Sequence, residues 1–178
     1  MAHMDNDGLG PAEERERRLY AKLKELEIEW TTHAHAAVFT VEEACAARVD
    51  QLVGTHTKNL FLENRSGALF LVAAREELRV DLNALARALQ VPRFSFGKAE
   101  LMREVLGIAP GAVSPFALIN DAAGRVRAVL DEGMLEQDPL NFHPLRNDRT
   151  TAIKAADLVR FLRAIGHEPL VMRLPEKE

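Results

Sequence analysis

The chain contains 178 residues, with 23 Lys and Arg against 27 Asp and Glu, so its formal net charge is −4 at pH 7. This length fits one domain with a sizeable core. The negative balance argues against a protein that coats nucleic acid non-specifically, although it allows a local basic rim. No apolar run approaches the ~20 residues that span a membrane, and the N-terminus lacks a signal-peptide pattern, so we expect no membrane association. A single cysteine rules out an internal disulfide and suits a reducing cytoplasm.

The N-terminal part of the chain predicts one helix and one strand. We expect residues 1–10, which begin with what resembles an expression remnant, to be disordered, and residues 11–174 to form the single domain. The charged segment Pro11–Leu26 carries leucines at helical spacing and predicts an amphipathic helix. A short strand is predicted at Ile28–His33.

The clearest β-hairpin of the sequence follows a short predicted helix. Thr40-Val-Glu-Glu43 has the form of a capping box and predicts a helix over Val41–Arg48. The strands Thr55–Glu63 and Ala68–Ala74 then flank the turn Asn64–Gly67, in which glycine suits a positive φ.

The second half of the chain predicts further helices and strands without a regular βαβ period. Asp81 is placed to cap a helix and Gly107 to end one. We expect Phe116–Asn120 and Val126–Leu130 to form a second hairpin, and the segment Asn141–Asn147 to be extended. The remaining predicted elements are the helices Leu82–Leu89, Lys98–Leu106 and Ala155–Ile165 and the strand Leu170–Leu174. This order favours an α+β domain with a mixed, largely antiparallel sheet and surrounding helices.

Gly107–Phe116 is the most unusual stretch of the chain, and we call it the glycine–proline loop. Two glycines and two prolines within ten residues rule out a regular helix or strand interior. Such a loop between two core elements can turn its backbone N–H groups toward a ligand. The alternative is a connection that only turns a corner, which the residues of the loop favour when taken alone.

Lys58 is the most informative single residue. Side chains alternate along a strand, so Lys58 shares a face with Leu60 and Leu62. An ammonium group that points inward there needs an anionic partner or a shifted pKa. The alternative is an edge-strand lysine whose stem packs on the sheet while its charge reaches solvent.

Other chemistries have weaker support. Four histidines invite a metal interpretation, but His-x-His alone is a weak signal and no H-E-x-x-H or paired-cysteine spacing is present, so we predict no metal; these are His33, His35, His56 and His143. Cys45 lies within the predicted helix and is interpreted as a small packed hydrophobe. Ser114 precedes a proline outside any G-x-S-x-G elbow, which gives a serine hydrolase little support. His143, between Phe142 and Pro144, is either a pocket residue or a hydrogen-bonded core histidine.

Several of these stretches together resemble the YbaK/ProX family, the free-standing relatives of the bacterial prolyl-tRNA synthetase editing domain. Within it the chain is most similar to the Ala-tRNA(Pro) deacylase subgroup. The resemblance runs in order through most of the chain and rests on Val38–Ala44, Lys58–Leu62, Asn64–Gly67, Ser95-Phe96, Leu106–Phe116, Asn141–Leu145 and Thr150–Ile153. One departure is Ala36-Ala37, where many relatives have a proline.

The resemblance implies a mixed α/β sheet fold and hydrolysis of an aminoacyl ester at the 3′ end of a transfer RNA, without a metal, a cofactor or a protein nucleophile. By position it implies the catalytic residues Lys58, Gly111 and His143. It also implies a substrate-binding set, which comprises Asn59, Phe39, Leu60, Val113, Ser114 and Pro115. In this interpretation a small pocket admits alanine and refuses proline.

The expected substrate is tRNA(Pro) carrying alanine, with prolyl-tRNA synthetase or an elongation factor as transient partners. Two alternatives stay open: a deacylase of the same fold for a tRNA mischarged with cysteine or serine, and a non-catalytic module that binds tRNA or a synthetase. A cationic rim for the acceptor stem, or else an ordinary solvated surface, is formed by Arg75, Arg79, Arg87, Arg93, Lys98 and Arg103.

Overall fold

The computed structural model describes residues 8–37 and 52–178. The predicted helix Val41–Arg48, its cap Thr40 and the predicted pocket residue Phe39 lie outside the described residues.

Helices and strands alternate irregularly along the chain. The helices are α1 (Ala12–Glu25), α2 (Leu82–Ala88), α3 (Ala99–Leu101), α4 (Glu132–Leu135) and α5 (Ala155–Ala164), together with a π-helical turn at Met102–Leu106 and a 3-10 helix at Pro115–Asn120. The strands are β1 (Thr31–Ala34), β2 (Thr55–Asn64), β3 (Leu69–Arg75), β4 (Phe94–Phe96), β5 (Val126–Asp131), β6 (Leu140–Phe142), β7 (Arg149–Ile153) and β8 (Leu170–Met172).

The described strands form one eight-stranded mixed sheet in the order β1-β7-β6-β2-β3-β5-β8, with β4 added to β2. Among these strands, β1–β7, β2–β3, β2–β4 and β6–β7 are antiparallel, whereas β2–β6, β3–β5 and β5–β8 are parallel. The sheet is therefore mixed, as predicted, and β2 occupies its centre.

The two faces of the sheet bury two hydrophobic cores. Phe61 of β2 belongs to the larger core, which also receives apolar side chains of α1, α5 and the 3-10 helix. Leu62, the next residue, belongs to a smaller core under α2. Consecutive strand residues point to opposite faces, so β2 contributes to both cores and is fixed between them.

The locally determined predictions are confirmed. β2 and β3 form the predicted hairpin, with Leu60 opposite Val72, and Gly67 in its turn has φ 81°. The Asp81 carboxylate caps α2 by accepting a hydrogen bond from the Ala84 amide at 2.9 Å. The predicted helices over Pro11–Leu26, Lys98–Leu106 and Ala155–Ile165 are present with ends shifted by one or two residues, the second of them as α3 followed by the π-helical turn.

The predicted second hairpin is wrong. Pro115–Asn120 forms a 3-10 helix, and β5 pairs in parallel with β3 and β8 instead. Pro115 stands at the start of that helix, where the missing N–H costs nothing, and Phe116, Ala117 and Leu118 are all buried. A segment buried on every side has no alternation, so its apolar run does not distinguish a helix from a strand.

The first strand is also displaced, because β1 begins at Thr31 rather than at Ile28. The Ile28 amide still donates to the Leu23 carbonyl at 2.9 Å and so belongs to the end of α1. Within residues 8–37 and 52–178, every helix is too short or too polar to cross a lipid bilayer.

Candidate active site

The predicted site residues of β2 are divided between its two faces. Lys58 lies on the side of Leu60 and Leu62, which pack in the smaller core. Asn59 lies on the side of Phe61, which packs in the larger core. Side chains of the neighbouring residues Lys58 and Asn59 therefore leave the strand in opposite directions.

The surroundings of Lys58 combine partial burial with carboxylates. Burial lowers the pKa of the Lys58 ammonium, and the carboxylates of Glu76, Glu77 and Glu176 oppose that shift. In the described part of the chain the ammonium makes no hydrogen bond, so a cation is held beside the sheet near a group of acidic side chains. Such a cation is available to an anionic ligand.

Asn59 lies at a gap in the strand pairing of β2. The pairing with β6 ends at His56, and the pairing with β4 begins at Leu62. In this interval Thr57 Oγ1 donates to the Asn141 carbonyl at 2.7 Å, and Asn59 Nδ2 lies 3.5 Å from Thr57 Oγ1. The Asn59 Oδ1 atom is buried and has no hydrogen-bond partner among the described residues. A buried acceptor of this kind favours a ligand that brings a donor.

The structure limits the glycine–proline loop to Gly107–Ser114, ahead of the 3-10 helix. Gly111 has φ 93°, a conformation that an L side chain rarely adopts. Within the described residues the amides of Gly111 and Val113 form no hydrogen bond. The Ala112 amide between them donates to the Ala109 carbonyl at 3.2 Å. Pro115 is buried at the start of the 3-10 helix. The loop therefore keeps two backbone donors for a ligand.

A buried hydrogen bond joins the loop to the histidine segment. Ser114 is fully buried, and its hydroxyl donates to the His143 carbonyl at 2.7 Å. The sequence resemblance implied that Ser114 binds substrate, but its side chain is used to hold His143 in place beside the loop. Its effect on a ligand would be exerted through His143.

The backbone and the hydrogen bonds around His143 hold the ring in one orientation. Its Nδ1 atom lies 2.8 Å from the Arg149 carbonyl. A carbonyl only accepts, so Nδ1 carries the proton, and Nε2 is the acceptor atom of the neutral ring. Leu145 is buried at a φ of 65°, which is strained for a branched side chain. Strain of this kind persists where the surrounding contacts enforce it, and it is often found at functional sites.

Ion pairs on the next residues supply such contacts. Arg146 binds Asp148 through two hydrogen bonds, and it also reaches Glu13 at 3.4 Å and Glu16 at 3.3 Å on α1. The hydrogen bond with Asp148 raises the pKa of Arg146, and Arg146 lowers the pKa of Asp148. The first helix is thus tied to the segment that carries His143.

His35 lies beside His143, and sequence reasoning did not assign it to the pocket. Its ring centroid lies 6.0 Å from that of His143. Its Nδ1 atom donates to the Ala36 carbonyl at 2.7 Å, and its Nε2 atom accepts from the Thr150 hydroxyl at 2.8 Å. The only signal in the sequence was the pattern His33-Ala-His35, which does not reveal the partner strand.

The described contacts therefore bring together the loop, His143 and His35, but none of them connects Lys58 with this group. Leu60 lies on the Lys58 side of β2, and Val113 packs against the larger core. Among the described residues, no three His, Cys, Asp or Glu side chains are grouped as a metal site requires.

A model of the aminoacyl-tRNA editing domain matches residues 35–161, an interval that includes β2, the glycine–proline loop and the His143 segment. The chain belongs to this family. The matched interval begins at His35, the residue that packs beside His143.

Members with known names and structures agree with this assignment. Prolyl-tRNA synthetase associated domain-containing protein 1 of Danio rerio is 38% identical over 152 residues, which cover 84% of this chain and 82% of that protein. The prolyl-tRNA editing protein ProX of Acetoanaerobium sticklandii is 32% identical over 148 residues, which cover 83% and 90% of the two chains. A solved structure described as a candidate trans-editing enzyme for prolyl tRNA synthetase has a TM-score of 0.67 at 21% identity and covers 92% of this chain and 98% of its own. That structure supports the editing-domain fold.

Proposed function

We propose that this protein is a trans-editing deacylase that hydrolyses Ala-tRNA(Pro). The family match and the name of the Acetoanaerobium relative support the class of reaction. In the reaction, a water oxygen attacks the carbonyl carbon of the aminoacyl ester. The bond from that carbon to the ribose oxygen breaks, the ribose oxygen takes a proton, and alanine and free tRNA leave.

The observation that carries this proposal is the junction between the glycine–proline loop and His143. Ester hydrolysis needs donors at the position where negative charge develops on the carbonyl oxygen. The amides of Gly111 and Val113, which have no acceptor among the described residues, would supply two such donors, and the hydrogen bond from Ser114 ties the loop to His143. A serine nucleophile is not required, because the Ser114 hydroxyl is buried and already engaged.

Lys58 and Asn59 would hold the substrate from the two sides of β2. The Lys58 cation binds a phosphate or the ester-bearing end of the terminal adenosine, since an ammonium is a poor base while it is charged. Asn59 Oδ1 accepts a hydrogen bond from the α-amino group or a ribose hydroxyl, which satisfies a buried acceptor. Among the described strands none pairs with β2 between β4 and β6, and this interval would give the substrate a path to Asn59.

The amino-acid side of the pocket would be formed by His143 with Val113 and Phe39, whereas Leu60, on the opposite face of β2, would line the Lys58 side. A small pocket admits alanine and excludes proline by size. An apolar synthetase site discriminates weakly against a smaller substrate, so a second sieve of this kind removes the error. The partners expected from this role are tRNA(Pro) and, transiently, prolyl-tRNA synthetase or an elongation factor in the cytoplasm.

The test is hydrolysis of tRNA charged with alanine, proline, cysteine or serine by the purified protein. We expect release of alanine well above the spontaneous rate and none of proline. His143→Ala should lose activity, whereas His33→Ala, which changes an exposed histidine of β1, should retain it. Activity on cysteine or serine instead of alanine would revise the substrate, and retention of charged tRNA without turnover would overturn the proposal of an enzyme.

A further inference from the structure

A second feature of the surface lies on β4, away from the loop and His143. β4 pairs with the end of β2 so that Phe96 is opposite Leu62 and Phe94 is opposite Asn64. Both rings lie on the same face, but only Phe94 is covered, packing against Phe70 at 5.0 Å between ring centroids. Phe96 keeps 64% of its surface exposed. A single exposed phenylalanine is common on protein surfaces, so its neighbours decide its meaning.

Those neighbours are cations. Arg93 and Lys98 flank β4, and Arg65 follows the Asn64–Phe94 pair directly in the β2–β3 turn. Arg127 of β5 lies further along the same cross-strand row, beyond Leu62 and Phe70, with its guanidinium 5.1 Å from the centre of the Phe70 ring. We call Arg65, Arg93, Phe96, Lys98 and Arg127 the β4 face.

The four cations of the β4 face are exposed, and within residues 8–37 and 52–178 none of them forms an ion pair. Arginines near His143 and on α5 differ, since Arg146 and Arg163 are paired with carboxylates. Two carboxylates adjoin β4, those of Glu63 opposite Ser95 and of Glu100, against four cations, and Glu104 is paired with Arg125 at 2.7 Å. In a chain with a net charge of −4, the β4 face is thus a local positive surface.

This combination matches the chemistry of RNA. Arginine and lysine bind phosphates, and an exposed aromatic ring stacks on an unpaired base whatever its identity. The face is joined to the glycine–proline loop by α3 and the π-helical turn, whose eight residues lead from Lys98 to Gly107. Eight helical residues span roughly 12 Å, a distance that the end of one RNA strand can bridge.

We infer that the β4 face binds the acceptor end of the RNA substrate, with its four cations on phosphates and Phe96 stacked on an unpaired base near the 3′ end. This inference rests on the proposed function for the identity of the RNA. The binding itself does not require hydrolysis and can be measured on uncharged tRNA.

The experiment measures the dissociation constant of uncharged tRNA(Pro) transcript by fluorescence anisotropy at several KCl concentrations. The charge-reversal variant Arg93→Glu/Lys98→Glu is compared with the matched control Arg17→Glu/Lys24→Glu, which reverses two exposed cations on α1. We expect the β4 variant to bind at least ~10-fold more weakly, and its salt slope to fall by about 1 for each phosphate that it no longer neutralises. The α1 control should match the wild type.

Phe96→Ser tests the aromatic contact, with Val171→Ser as a control that removes an exposed apolar side chain on β8. Loss of base stacking should weaken binding about 5- to 100-fold with an unchanged salt slope. All of these positions are exposed, and thermal unfolding verifies that each variant is folded.

Unchanged tRNA binding in both β4 variants would overturn the inference. If these variants bound tRNA normally but lost binding to prolyl-tRNA synthetase, the face would be a protein interface and the RNA assignment would be wrong. A further outcome is that the wild-type protein binds uncharged tRNA through the β4 face and yet hydrolyses no charged tRNA. That result would contradict the proposed function but agree with the inference that the β4 face binds RNA.

Discussion

The two faces of β2 differ in what they offer to a ligand. On the face of Asn59, the strand joins the larger core, and the side chain leaves a buried oxygen without a partner among the described residues. On the face of Lys58, the strand joins the smaller core, and the side chain ends in a cation near carboxylates. One face offers a neutral acceptor in a buried setting, and the other offers a charge that solvent can reach.

This difference shows that Lys58 and Asn59, which are adjacent in the chain, line opposite faces of the sheet. A substrate that meets both must approach β2 between β6 and β4, where Thr57–Leu60 are partly exposed and pair with neither of these two described strands. The glycine–proline loop and His143 lie on the side of Asn59, since Val113 packs against the larger core. We therefore expect the ester to bind on the Asn59 side and the charged end of the substrate to extend toward Lys58.

The largest expected effect concerns the two cores themselves. Phe61→Ala should lower the free energy of unfolding by about 3–5 kcal/mol and Leu62→Ala by about 2–5 kcal/mol, because each leaves a cavity. Both side chains are at most 2% exposed. Chemical denaturation measures both values, and kcat/KM at a temperature where the variants are folded should change little. A nearly neutral Leu62→Ala would show that the smaller core does not fix β2.

The next prediction compares the effects of Lys58 and Asn59 on kcat/KM. Lys58→Ala should lower kcat/KM for Ala-tRNA(Pro) by about 10²–10³-fold if its cation stabilises charge on the substrate. Asn59→Ala should lower it by about 10-fold, the value of one hydrogen bond. Lys58→Arg is the control that keeps the charge. Equal losses for the two alanine variants would contradict the division of roles between the faces.

The protonation of Lys58 gives the same comparison a pH dependence. Because burial lowers its pKa, the cation is present below that pKa and is lost as the pH rises through it, earlier than for an ordinary lysine. Binding of a non-hydrolysable Ala-tRNA(Pro) analogue should weaken over that range, and Lys58→Arg should remove the weakening. Binding that stays constant in the wild type would assign the charge to another residue.

The glycine–proline loop should respond differently from an ordinary turn. Gly111→Ala and Gly124→Ala both place a side chain at a positive φ, 93° and 67° respectively, and each should cost about 1–2 kcal/mol of stability. Gly124 has open space around it, so its variant reports strain alone. Only Gly111→Ala should also reduce kcat/KM, by up to about 10²-fold for misplaced donors. Full activity in Gly111→Ala would show that the loop only connects two elements of the fold and does not supply donors to the substrate.

The last effect, on stability and not on activity, belongs to a buried pair away from β2. His167 Nε2 lies 2.9 Å from Asp121 Oδ2, and Asp121 also accepts from the amides of Arg125 and Val126. Burial alone would raise the pKa of Asp121, but the hydrogen bond from His167 and those two amides outweigh it, so the pKa is lowered. Because the pKa of Asp121 is lower in the folded chain, the folded chain binds fewer protons than the unfolded chain. The contribution of Asp121 to the free energy of unfolding is therefore complete above the ordinary pKa of an aspartate, and it is lost as the pH falls through the pKa of the folded state.

Asp121→Asn should cost about 1–3 kcal/mol at pH 7 and reduce the acid dependence of unfolding, without changing kcat/KM. Denaturation at pH 7 and at acid pH measures both effects. A loss of activity in the folded variant would show that this pair communicates with the site, and an unchanged acid dependence would remove Asp121 as its source.

Much of the fold followed from rules that act within a few residues. The Asp81 cap and the Asn64–Gly67 turn are satisfied by neighbours along the chain, so their signals are local and the structure confirms them. The 3-10 helix at Pro115–Asn120 was not predicted because a segment buried on all sides carries no period. The site residues came from resemblance, since no local rule distinguishes a pocket lysine from one on a strand edge.

The sequence by itself determined the helix caps, the central hairpin and the family to which the motifs point. Tertiary structure alone decided that Ser114 holds His143, 29 residues away, and that His35 is bound by Thr150, 115 residues away. It also decided that the β4 face collects cations from three separate segments. The physical reason is that each of these contacts depends on how strands are ordered in the sheet, and that order is set by packing between residues distant in the chain.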